Sequence, residues 1–168
     1  ARAAPVALPP KWAASMQRAL QDRKPRLTSL PGEPGAAQPD MPQLALNMRL
    51  PRKQGGAYVL TALYRPDYLR GLMRELSMPA YLGAAIINAD GINVARTLDP
   101  QRYVGQRSAA PLLEQMRLAR EGMLRHATLE GIDVYTGFRR ARDDGWTVAV
   151  TMRTSTVLEA LLRSVVTG

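Results

Sequence analysis

The chain has no cysteine. That removes disulfides, thiolate nucleophiles and cysteine-ligated zinc or iron–sulfur centres, and it is compatible with an extracytoplasmic compartment. Histidine occurs once, as His126 in the strand-like run LRHATLEG. A hydrolytic triad needs a base held against a nucleophile by a third group, and no GxSxG elbow or cysteine is present to complete one. His126 therefore reads as an ordinary strand residue, with hydrolase chemistry the weakest alternative. Aromatic residues make up only 5% of the chain, leaving few platforms on which bases could stack. No run of about eighteen apolar residues occurs, so nothing in the sequence reads as a membrane-spanning helix. The opening residues, ARAAPVALPP, have neither an initiating methionine nor a signal-peptide apolar core, and are expected to derive from a processed or longer product.

Positive charge is in excess: 23 basic residues stand against 14 acidic ones, a formal net charge of +9. Only Lys11, Lys24 and Lys53 are lysines, and the arginines are scattered from Arg2 to Arg163 rather than forming one block. A basic α+β nucleic-acid-binding module is the alternative from another class, but a dispersed, solvated surface is the expectation. With 46% apolar and 22% charged residues over 168 positions, the chain can form a packed domain or two small ones.

Patterning predicts the elements. KWAASMQRALQDR (11–23) spaces Trp12, Met16 and Leu20 as one helical face, ended by Pro25. A short strand at 26–30 precedes the Pro/Gly-rich loop PGEPGAAQPD (31–40). QLALNMRL (43–50) alternates with the period of a half-buried strand and forms a hairpin with 57–64. A helix starting at Asp67 sets Tyr68, Leu72 and Leu76 on one side before Pro79. Strands at 83–88 and 92–97 flank the turn at Asp90-Gly91. A helix over 110–121 follows, then strands at 122–128, 132–140 and 146–152 joined through Glu130-Gly131 and Asp143-Asp144-Gly145. A helix over 155–166 closes the chain behind an N-cap at Thr154 or Ser155. Tight turns within strand groups, with helices between the groups, indicate an antiparallel α+β domain rather than a parallel βαβ sheet.

Chemistry is sparse. Asp90, Glu130, Asp143 and Asp144 adjoin turn glycines, where turn geometry accounts for them. No DxDxDG loop, HExxH, GxGxxG or GxxxxGK[ST] occurs, so no catalytic, metal or cofactor site is expected. A ligand-reading group remains. Arg96 and Arg139 fall in or at the ends of strands, and Tyr103 and Tyr135 add apolar bodies with hydroxyl tips. Together they suit a small carboxylate or phosphate ligand. The competing reading pairs Arg96 with Asp99, packs Tyr103 on the sheet and leaves Arg139 solvated.

IINADGINVARTLDPQRYVGQ (86–106), followed by GMLRHATLEGIDVYTGFRRARDDGWTVAVTM (122–152), resembles the membrane-proximal half of double Cache sensor domains. These are the PAS-like extracytoplasmic input domains of bacterial transmembrane receptors. The resemblance is close over 80–168 and loose over 10–78, where GGAYVLTALYRPDYLRGLM looks like the closing strands of a membrane-distal module. It implies a partial distal segment at 1–78 and a proximal Cache domain with a C-terminal signalling helix at 79–168. In such a domain Gly91, Gly131 and Gly145 are hairpin glycines, and Trp146 is a core residue opening the last strand. The implied function is ligand sensing in the periplasm by part of an inner-membrane protein, tethered by flanking helices and homodimeric in the receptor. The implied output is a histidine kinase, with a diguanylate cyclase as the alternative. The aromatic–Arg–x–Trp–aromatic run that marks amino-acid sensing in this family is absent, which leaves the ligand open.

Overall fold

The computed structural model describes residues 10–30, 43–76 and 78–159. The loop predicted at 31–40 and the terminal helix beyond 159 lie outside them. The chain divides into two compact units, residues 1–65 and 66–168.

In the first unit, helix α1 (Pro10–Asp22) packs on the antiparallel sheet β1 (Arg26–Leu30), β2 (Gln43–Pro51) and β3 (Ala57–Tyr64), in the order β1-β2-β3. The helix rests on a polar seam. The side-chain amide of buried Asn47 donates to Ser15 Oγ at 2.9 Å and its carbonyl accepts from Thr61 Oγ1 at 2.7 Å. The Ser15, Asn47 and Thr61 side chains thus match one another, which favours one position of the helix along the sheet.

The second unit runs α2 (Pro66–Glu75), β4 (Leu82–Ile87), β5 (Asn93–Arg96), α3 (Pro100–Tyr103), α4 (Ala110–Leu118), β6 (Glu121–Ala127), β7 (Asp133–Arg140) and β8 (Thr147–Arg153). Its five strands order as β5-β4-β8-β7-β6, every neighbour antiparallel. Sequence placed α2 with the first segment; in the structure its Leu69 and Met73 pack on Ala84, Ile86 and Ala95. Residues 154–159 are helical. Helix α4 ends three residues before the predicted boundary because Glu121 already pairs with Arg139 as a strand residue.

The β4–β5 hairpin turns where the Asp-Gly pair predicted it. Asn88 Oδ1 accepts from the amides of Asp90 at 3.0 Å and Ile92 at 2.9 Å, and Gly91 takes φ 81°, which favours glycine. A Cβ there would also lie 2.9 Å from Leu113 on α4.

Opposite residues in antiparallel strands share a sheet face, so register assigns the two sides of this sheet. The inner side carries Ala85, Ala149 and Phe138, which are cross-strand partners, and with Ile87 they pack against Leu112 and Met116 of α4. The outer side carries Ala95, Ile86, Val148 and Arg139 in a row, covered by α2 at its β4–β5 end.

Candidate functional site

Arg96 ends β5 opposite Ala85, so its side chain belongs to the inner face. The chain then turns through Asp99, whose φ of 39° lies in the left-handed region, into Pro100 at the head of α3. That one-turn helix sets buried Tyr103 beneath the guanidinium, 4.9 Å from Arg96 Cζ to the ring centroid. From the opposite edge of the sheet, the β6–β7 turn contributes Glu130. Arg96 Nη2 donates to Glu130 Oε1 at 2.5 Å, with side-chain exposures of 9% and 16%. Tyr103 Oη donates to the carbonyl of Leu129 at 3.4 Å. The two contacts latch the β6–β7 turn onto β5 and α3.

The partner of Arg96 is therefore Glu130, 34 residues away, and not its neighbour Asp99. Sequence reading assigned Glu130 to turn geometry, but Thr128 does that work. Its Oγ1 accepts from the amide of Ile132 at 3.2 Å and its carbonyl from that of Gly131 at 3.0 Å. The Glu130 carboxylate is left free to reach across. Burial pushes the Arg96 guanidinium below its ordinary value, opposed by the charges of Glu130, Tyr103 and Asp99 and by the hydrogen bond to Glu130. Arg96 Nε and Glu130 Oε2 are both buried without a hydrogen-bond partner. The pair thus keeps one unused donor and one unused acceptor.

Next to this latch lies a cavity of about 360 Å³. It is bounded by Gly83 on β4, Leu98 just past β5, Thr128 and Ile132 on the latched turn, and Thr151 on β8. Thr156, within the 154–159 helical segment, is also in its wall. The lining is largely apolar, with threonine and tyrosine hydroxyls and one charged residue, Arg153, the usual make-up of a small-molecule pocket. Gly83 is required for the space, since a Cβ there would meet Thr151 Oγ1 at 2.6 Å and Leu98 Cδ1 at 2.7 Å. None of these lining residues carries a sequence motif, so no sequence signal marked them.

Tyr135 and Arg139 do not join Arg96 and Tyr103. Arg139 lies opposite Val148 and Tyr135 opposite Met152, which puts both on the outer face. Arg139 is exposed and its Nε lies 3.3 Å from Glu121 Oε2. The four sequence candidates form two pairs on opposite sides of one sheet.

His126 is buried, with Nδ1 2.8 Å from the carbonyl of Ala127 and Nε2 2.8 Å from Thr136 Oγ1. A carbonyl only accepts, so Nδ1 carries the proton and Nε2 accepts from the Thr136 hydroxyl. Both nitrogens are used structurally. We expect His126→Ala to lower the unfolding free energy of the second unit by about 2 kcal/mol, through a small cavity and an orphaned Thr136 hydroxyl. Urea titration followed by Trp146 fluorescence checks this, and a fall below half that figure would contradict it.

Asp133 ties the β6–β7 hairpin to the last helical segment. Arg125 forks onto its carboxylate, Nη2 to Oδ2 at 2.6 Å, and Thr154 Oγ1 donates to Oδ2 at 3.1 Å. The hydrogen bond from Arg125 is the main cause holding Asp133 below the ordinary aspartate range.

No family model and no curated protein matches this chain. Solved structures do. The extracellular domain rpHK1S-Z16, assigned to a histidine kinase, superposes with a TM-score of 0.60 at 18% identity, covering 84% of this chain and 58% of that one. The periplasmic sensory domain of the Campylobacter jejuni chemoreceptor Tlp1 gives 0.59 at 12% identity, covering 86% and 56%. The ligand-binding domain of the Pseudomonas aeruginosa amino-acid chemoreceptor PctC, in complex with GABA, gives 0.55 at 16% identity, covering 90% and 66%. At these identities the likeness is one of fold. The chain has the α+β, PAS-like Cache fold of extracytoplasmic sensor domains, as the resemblance over 80–168 implied. It spans little more than half the length of the first two of these structures.

Proposed function

We propose that the chain is a ligand-sensing input region of a bacterial transmembrane receptor, lying in the periplasm and feeding a histidine kinase. The fold likeness supports sensing, and rpHK1S-Z16 supports the kinase output. The observation that carries the reading is the wall of the 360 Å³ cavity, which joins the latched β6–β7 turn to Thr156 on the last helical segment. A molecule bound there touches the element through which movement would leave the domain, so differential contact can bias two arrangements of it. Residues 10–65 are a partial membrane-distal module in this reading, and the receptor is a membrane-tethered homodimer. The domain binds and does not catalyse.

The ligand is a small molecule with polar groups for the threonine hydroxyls and Arg153 of the cavity wall. Glu130 already neutralises Arg96, so an anionic group would be met by Arg153 of the cavity wall instead. A thermal-shift screen of amino acids, amides, carboxylates and purines tests this. A ligand at a hundred times its Kd stabilises by about 2.7 kcal/mol. Gly83→Ala, whose added methyl narrows the cavity, should remove the shift measured from its own baseline, while Arg139→Ala should keep it. A shift untouched by Gly83→Ala would place binding elsewhere. In the intact receptor, the same ligand should change autophosphorylation; a change in cyclic dinucleotide synthesis instead would make the output a cyclase.

A further inference from the structure

The outer face of the five-stranded sheet is covered over half its width. Leu69 and Met73 of α2 lie on Ala84, Ile86 and Ala95, at the β4–β5 end. Register continues the same face across the other half: Ile86 is opposite Val148 and Ala84 opposite Val150, then Val150 opposite Gly137 and Gly137 opposite Met123. There Val148 is 52% exposed, Val150 37% and Met123 76%. A sheet face of this composition ordinarily buries itself against another layer.

The groove over this half is open and holds about 1050 Å³. Strands β8, β7 and β6 span about 10 Å between their outer axes, at roughly 4.8 Å per step. An α-helix with its side chains is about 10 Å across. One helix beside α2 would complete the layer. Gly137 gives it a notch on the central strand, since a Cβ there would meet nothing within 4 Å.

Charge selects the occupant. Arg120, Arg139, Arg140 and Arg142 all line the groove, and among the described residues Glu121 is the only acidic one in its lining. A second copy of this chain would bring the same four arginines against these four. We infer that the bare half-sheet is a docking groove for an acidic amphipathic helix of a partner protein, its apolar stripe on Val148, Val150 and Met123 and its carboxylates on the arginine rim. Arginine forks suit that role, binding carboxylates in pairs at the edge of an apolar contact. Tyr135 and Arg139, singled out by sequence as ligand contacts, belong to this face.

The test uses the 168-residue protein labelled with nitrogen-15 and a helix-stapled 18-residue peptide with a leucine stripe flanked by glutamates. The control peptide carries lysine in place of each glutamate. Amide resonances of Met123, Gly137, Val148 and Val150 should move with the glutamate peptide and not with the lysine peptide. Arg139→Glu combined with Arg142→Glu, both on the rim, should weaken the glutamate peptide at least tenfold and admit the lysine peptide. The inference is overturned if the glutamate peptide leaves these resonances still, or if both peptides bind alike. It is equally overturned if the face closes by self-association, read as a dimer by sedimentation with the same resonances broadening as concentration rises.

Discussion

Glu130→Ala is expected to destabilise the second unit by roughly 3 kcal/mol, the low end of the cost of breaking a buried ion pair. The loss is large because both side chains are nearly enclosed, and removing the carboxylate strands Arg96 as an uncompensated charge. For a unit of this size, each kcal/mol moves the midpoint by about 4 to 8 °C, so a fall of roughly 12 to 24 °C should appear. Trp146 reports on this unit, and Trp12→Phe silences the only other tryptophan. The double variant Arg96→Met, Glu130→Leu replaces the pair by apolar groups of similar length. It should recover most of the loss, because the pair's attraction mainly offsets its own desolvation. A single-variant cost under about 1 kcal/mol would mean the pair is solvated like a surface bridge. That would also remove the latch that shapes one wall of the cavity.

Phe138→Ala should cost about 4 kcal/mol, within the range for deleting a buried phenyl ring. Phe138 is 5% exposed in the centre of the cluster formed with Ile87, Leu112, Met116 and Ala149. Its ring edge faces Gly122, where a Cβ would stand 3.2 Å from Cε1. That arrangement yields a sharper expectation than the single variant. Gly122→Val alone should be destabilising through crowding, whereas with Phe138→Ala its methyls enter the vacated space and part of the loss returns. Denaturant unfolding of the four proteins measures the coupling. Strictly additive costs would mean that Gly122 and Phe138 do not share one packing site.

Both predictions concern the inner face, and they bear on function differently. The Phe138 cluster anchors α4, while the Arg96–Glu130 pair holds the turn beside the cavity. Ligand binding should therefore be the more sensitive to Glu130→Ala.

Much of the local architecture was determined by sequence alone. Alternation of Leu44, Leu46, Met48 and Leu50 specifies a strand because successive side chains alternate faces. Asp90-Gly91, Glu130-Gly131 and Asp143–Gly145 specify turns because their glycines reach φ of 81°, 77° and 70°. Such signals lie within a few residues, so the α+β class and the antiparallel hairpins were legible before any packing was known. The four-residue helix α3 was not, being too short to show a period. Tyr135 and Arg139, four apart on one strand, could be placed on a common face by parity.

What only the tertiary structure decided is which face that is, and what meets there. The order β5-β4-β8-β7-β6 sets distant strands side by side, and from it follow the separation of Arg96 from Arg139 and the enclosure of the cavity. The partner of Arg96 was nominated by proximity in sequence as Asp99. Space chose Glu130 instead, because Thr128 closes the β6–β7 turn and frees the carboxylate to satisfy a buried guanidinium. Likewise α2 joined the second unit because Leu69 and Met73 found an apolar half-sheet to cover. Burial is settled by contacts between elements far apart in the chain, and single-residue chemistry carries no record of them.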